Sequence, residues 1–319
     1  MHNTFSAAEL TSRIQELTAK LNKDNISRTN AYKRYFDRHP EIKWSLLASF
    51  VSRNAGWSMT DLKGRLFELG LTAFQQNWLF LTYERANWLI FSDAYPQLLL
   101  YHWSKQLGQP LFHLLSSFGV SSFMKTEWER FWHERDQKRL MYALIINEQN
   151  TIQTSIIQNP LFKKNVFQTI PFQLCEWFHF NTVIFPTVEG VFYGVSVKRF
   201  TSLKERIKLG KQLSELLFSP ELFPGFFHFT SCVPHTGSRF DMERWAGVKI
   251  RTSPFLRTCY PVVAHSLDGL KSDWFRGGKR EAMFKDEKLP KTIEITDWYF
   301  QKRRQLQALF SLEHWLNKR

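Results

Sequence analysis

Glu41-Ile42-Lys43-Trp44-Ser45-Leu46-Leu47-Ala48-Ser49-Phe50-Val51-Ser52-Arg53-Asn54-Ala55-Gly56-Trp57-Ser58-Met59-Thr60-Asp61-Leu62 changes character half-way along. Its first half sets Trp44, Leu47, Ala48 and Val51 at spacings of three and four, the apolar stripe of a helix. Pro40 suits the first turn of that helix, and Gly56 is the expected stop. The second half, Ser52 to Asp61, is densely polar. Ser58 with Asp61 three residues on resembles a capping box that restarts the chain.

The stripe repeats on both sides of this stretch. Towards the N-terminus, Ser6 is a cap for Leu10, Ile14, Leu17 and Leu21, a helix ending near Asn25. A second helix carries Tyr32, Tyr35 and Phe36 and ends at His39-Pro40. Towards the C-terminus, a short helix runs to Gly70, and Thr72 caps a long one through Trp78, Leu81, Leu89 and Ile90. Asp93-Ala94-Tyr95-Pro96 reads as a break, with a new helix from Leu98 to Leu107 stopped by Gly108. The pattern stays helical from Pro110 to about Ile157, and Asn159-Pro160 closes it.

The texture then changes. Residues 181–197 are rich in Val, Phe and Tyr and predict a hairpin, and Ser202–Phe218 predicts a helix. Residues 219–290, dense in Pro and Gly, read as irregular, before a basic closing helix over Ile295–Leu316. The expected fold is mainly α: a multi-helical globular domain with a small α+β or irregular C-terminal part. Residues 1–158 form an all-helical part and 159–319 a mixed part, packed as one compact unit.

The 319 residues include 30 Phe and 12 Trp, and the net charge is +14. A field of that sign favours anionic partners, nucleic acid or an anionic membrane surface. The three cysteines are too few for a disulfide framework and point to a reducing compartment. No leader pattern and no 18-residue apolar run appear, which points to the cytoplasm, with the membrane periphery as one place such charge is held.

Three groups of residues are candidates for function. Ser52, Arg53, Asn54 and Asp61, with Ser58 and Thr60, make one polar patch; Glu84, Asn87, Asp93 and Tyr95 make a second. A helical connection can fold the second back on the first. The result is either a buried network, Arg53 pairing with Glu84 or Asp93, or a cleft in which a carboxylate acts as acid, base or ligand. A basic, aromatic late segment holds Arg239, Arg244, Arg251 and Arg257, then Trp274-Phe275-Arg276-Gly277-Gly278-Lys279-Arg280, then Lys302-Arg303-Arg304. Of these, Arg239, Arg244, Arg276, Lys279 and Arg280 are the candidate anion-binding set. His228, Cys232 and His235, with Cys259 and His265 beyond, fit no standard zinc spacing, and ordinary packing is the better reading. Cys175 and His179 are weaker still. No metal and no cofactor is expected: there is no P-loop, dinucleotide glycine motif, zinc finger or RNP signature.

The run Pro40-Glu41-Ile42 with Trp44, then Ser52-Arg53-Asn54-Ala55-Gly56-Trp57 and Met59-Thr60-Asp61-Leu62, then Glu84-Arg85-Ala86-Asn87 and Asp93-Ala94-Tyr95-Pro96, resembles the YppC-like uncharacterised proteins of bacilli. The resemblance implies a bacterial, cytoplasmic protein and carries over no catalytic residue. With a net charge of +14 and no recognisable catalytic motif, the function expected is that of a non-enzymatic binding or scaffold protein with a basic surface for an anionic partner. The alternative is an enzyme whose cleft lies between segments 52–61 and 84–95.

Overall fold

A computed structural model describes residues 6–169, 182–197, 199–267, 273–278 and 281–316, with side chains to Ser311 in the last of these. The fold is mainly α, with one small hairpin. Seven α-helices open the described residues: α1 (Ala7–Leu21), α2 (Asn25–Arg38), α3 (Trp44–Asp61), α4 (Arg65–Gly70), α5 (Ala73–Leu107), α6 (Ser122–Glu134) and α7 (Gln137–Ile152). The hairpin pairs β1 (Thr182–Pro186) with β2 (Phe192–Ser196) antiparallel, Thr182 opposite Ser196. Helices α8 (Leu203–Leu217), α9 (Phe223–Cys232) and α10 (Thr296–Leu316) follow.

Local chemistry sets several of these ends. Ser6 and Glu9 cap α1 reciprocally, and Thr72 and Gln75 do the same for α5. Gly108 closes α5 in the left-handed conformation, at φ 68°.

Helix α3 lies at the centre. It packs on α2, α5, α7, α8 and β1, and almost every side chain along it is buried. Trp44 and Trp57 on this helix, and Trp128 on α6, are fully enclosed. One continuous apolar cluster runs from Leu10 to Phe226, and a second joins α4, the first half of α5 and α10 through Phe67 and Phe310.

The structure corrects several expectations in this region. Helix α3 starts at Trp44 and runs through Gly56 and Ser58 to Asp61. Pro40 instead sits in a turn closed by the Ile42 amide on the His39 carbonyl, at 2.9 Å. Gly56 serves close packing rather than termination: a Cβ there would stand 2.3 Å from Asn25 Oδ1. Helix α5 passes through Pro96 without a break. Pro96 has no N–H for the carbonyl of Ser92, and nearby the Gln97 side chain donates to the Asp93 carbonyl at 3.0 Å. Packing of Phe91, Tyr95 and Leu98 in the core holds both halves in line. Within 219–290, the helix α9 and one-turn helices at Phe240–Glu243 and Leu256–Cys259 replace part of the expected irregular chain.

The hairpin also positions the last helix. Gly194 and Phe192 on β2 bond Ile293 and Ile295, at 2.8 Å each, so the chain enters α10 along the sheet edge. That register brings Tyr299 and Arg303 over the C-terminal end of α3.

Candidate functional site

Each polar residue in the second half of α3 holds a different segment. Ser52 receives Asn25 and Thr29 from α2, at 3.1 and 2.8 Å. Asn54 behaves as an extra strand residue: it donates to the Ile184 carbonyl at 2.9 Å and accepts the Ile184 amide at 2.8 Å. Thr60 donates to the Gly237 carbonyl at 2.7 Å. Arg53 donates to the Val233 carbonyl at 2.8 Å and lies over Phe229. Burial pushes its guanidinium down to about 10, still charged at neutral pH. Among the described residues, its Nε and Nη1 have no hydrogen-bond partner.

His235 continues this network. Asn25 gives its amide to Ser52, so its Oδ1 must accept from His235 Nε2, at 2.7 Å. The other ring nitrogen then stands 3.6 Å from Asp241, too long for a hydrogen bond. Burial holds the imidazole down to about 4, so the neutral form fills the site at pH 7.

The second patch takes other partners. Glu84 is buried against Arg28 of α2, with His265 at 3.6 Å on its far side. Asn87 donates back to the Tyr83 carbonyl and Tyr95 stacks on Phe91 at 4.4 Å. Asp93 accepts from Asn147 and Gln97 and lines a cavity of about 60 Å³. The two patches are thus joined through α2, not directly: Arg53 pairs with neither Glu84 nor Asp93.

Near Asp93 lies a carboxyl that sequence reading passed over. Glu148 receives Trp44 Nε1 at 3.2 Å, and burial raises it from 4.5 to about 7, with Asp93 adding to the rise. The folded state therefore holds its proton more tightly than the unfolded state. Stability from this group is full below pH ~4.5 and is lost as pH rises through about 7. Glu148→Gln is accordingly expected to raise the urea midpoint at pH 8 and to leave it nearly unchanged at pH 4.5. Equal effects at both pH values would refute the assignment.

Asp61, the last polar residue of α3, belongs to a different place. It lines a cleft of about 970 Å³ between α4, the 246–252 loop and α10. Arg65, Arg239, Arg251, Lys302, Arg303 and Arg304 line the same cleft, with Trp298, Tyr299 and Phe300. Arg239 is buried on Asp61, and Arg303 pairs with Glu243, which also accepts from Tyr299. Burial opposes the charge on Arg239, but Asp61 outweighs it and raises the guanidinium above its ordinary range. Burial likewise raises the Tyr299 phenol. Arg65, Arg251 and Arg304 are exposed and have no carboxylate within ion-pair reach among the described residues.

Of the other expected anion-binding residues, Arg244 is exposed over Trp245, and Arg276 is exposed beside Asp273. Lys279 and Arg280 lie outside the described residues, as do Cys175 and His179. His228 and Cys232 face each other on the surface at 3.5 Å, whereas His235 points inward to Asn25. Among the described residues, no group of three His, Cys, Asp or Glu side chains could hold a metal ion. Arg65, Glu243 and Tyr299 were not singled out in the sequence. The spacing of Tyr299 and Arg303, four apart on one helix face, was the available signal.

The model for the family described as "Protein of unknown function (DUF2515)" matches residues 20–300. The chain belongs to the DUF2515 family. It is 72% identical over 310 residues to "Uncharacterized protein YppC" of Bacillus subtilis (strain 168), covering 97% of each chain. This is the likeness expected from the 40–62 and 84–96 motifs. No solved structure matches the chain. Among the described residues, no helix is long and apolar enough to cross a membrane.

Proposed function

We propose that this DUF2515 protein is a non-enzymatic binding protein that takes a phosphate-bearing anionic partner into the cleft between α4, the 246–252 loop and α10. The charge balance of the cleft wall carries the reading. Its carboxylates, Asp61 and Glu243, are taken up by Arg239 and Arg303, and of the remaining cations Arg65, Arg251 and Arg304 have no carboxylate within ion-pair reach among the described residues. A concave wall of low dielectric focuses the field of such cations and concentrates anions there. The same pairing argues for binding over catalysis. Both carboxylates are locked as ion pairs, so neither is placed to move a proton.

Salt titration tests this with two probes, a fluorescent oligodeoxythymidylate and phosphatidylglycerol-containing vesicles. Three uncompensated cations predict that log K for the oligonucleotide falls against log salt with a slope of roughly −2. Arg65→Glu with Arg304→Glu, both on exposed positions, is expected to flatten that slope and weaken binding to either probe. If neither probe binds at low ionic strength, the reading fails.

A further inference from the structure

The loop edge of the cleft, Arg244 to Phe255, exposes apolar side chains that a folded chain ordinarily hides. Trp245 is 39% exposed, Ile250 77% and Phe255 41%. Exposed cations alternate with them: Arg244, Lys249 and Arg251. Arg244 lies 5.3 Å from the centre of the Trp245 ring, and Arg251 lies 4.1 Å from that of Phe255. Each aromatic body therefore presents a positive head beside it. Part of this segment, Ala246 to Val248 and Ile250 to Thr252, also lines the cleft.

We infer that this rim seats on an anionic lipid bilayer. Trp245, Ile250 and Phe255 enter the interface, and Arg244, Lys249 and Arg251 meet the headgroup phosphates. The inference rests on the cleft reading and names its partner, since Arg65 and Arg304 stand behind the same rim. Apolar area and attraction to acidic lipid add together in interfacial binding, and the rim supplies both. A single-stranded nucleic acid could stack on Trp245 or Phe255. It has no use for Ile250, the most exposed apolar side chain of the three. A second copy of the chain would fit worse: a two-fold contact sets the same cationic patch against itself.

Sedimentation of the full chain with phosphatidylcholine vesicles, with and without phosphatidylglycerol, tests the proposal. Binding is expected only where phosphatidylglycerol is present. Trp245→Ser/Ile250→Ser/Phe255→Ser is expected to weaken it at least about tenfold and to weaken oligonucleotide binding far less. Ile250→Ser alone should weaken vesicle binding in the same direction, and it serves if the triple variant does not fold. Vesicle binding indifferent to both variants overturns the inference, and the cleft reading then stands or falls on Arg65→Glu/Arg304→Glu. Oligonucleotide binding that the rim variant abolishes also overturns it, in favour of nucleic acid. No binding to any probe overturns both readings.

Discussion

Arg28→Met is expected to lower folding stability by about 3–5 kcal/mol, the usual result of removing one partner from a buried ion pair. Arg28 is fully enclosed and Glu84 is 4% exposed. The guanidinium reaches Glu84 with one arm and Asn22 Oδ1 with the other, at 3.1 Å. Without it, the Glu84 carboxylate stays in the interior with His265 at 3.6 Å. Urea unfolding of the single and double variants separates the pair from its desolvation. Arg28→Met with Glu84→Leu should recover most of the loss, because an apolar pair of similar volume avoids burying either charge. A double variant no more stable than Arg28→Met would show that Arg28 acts through Asn22 and α1 instead. Glu84→Gln gives a milder test of the same site, since the amide can still accept from Arg28.

Gly56→Ala should lower stability by about 2–4 kcal/mol, against what helix preference alone would suggest. Alanine in a helix interior is favoured over glycine by about 1 kcal/mol. Here the new methyl would stand 2.3 Å from Asn25 Oδ1 and 2.8 Å from His235 Nε2, the two ends of one buried hydrogen bond. Overpacking costs about 1–3 kcal/mol, and an unsatisfied buried group costs a similar amount, so the clash outweighs the preference. Thermal unfolding reads the sign directly. A Gly56→Ala protein melting above the parent would mean that α2 and the 233–237 segment can move apart at little cost.

Legibility in the sequence followed the range of the interaction. The caps at Ser6 and Thr72 and the stop at Gly108 were readable because a cap is satisfied by groups three or four residues away. The hairpin over 182–196 was readable from a composition rich in Val, Phe and Tyr. Gly56 and Pro96 misled for one reason. Both are local helix breakers, and at both the neighbours that decide come from elsewhere: Asn25 and His235 at Gly56, and the packing of Phe91, Tyr95 and Leu98 around Pro96.

The candidate site divides in the same way. The polar half of α3 stood out in the sequence, but its partners did not, because Arg53 meets Val233 across 180 residues and Asp61 meets Arg239 across 178. Arg239, Arg251 and Lys302-Arg303-Arg304 were visible as charge. Only the fold assembles them with Arg65 around one cleft and matches Asp61 and Glu243 to two of them.

The helical class, several helix ends, the hairpin, the positive charge and the family motifs can be read from the residues alone. These depend on periodicity and on near neighbours along the chain. The tertiary structure decided that α3 is one helix, that its polar half is a set of anchors for distant segments, and that the basic residues frame a cleft with an apolar rim. Those outcomes depend on which charges are paired and which side chains are covered, and such pairings arise only when segments far apart in the chain meet.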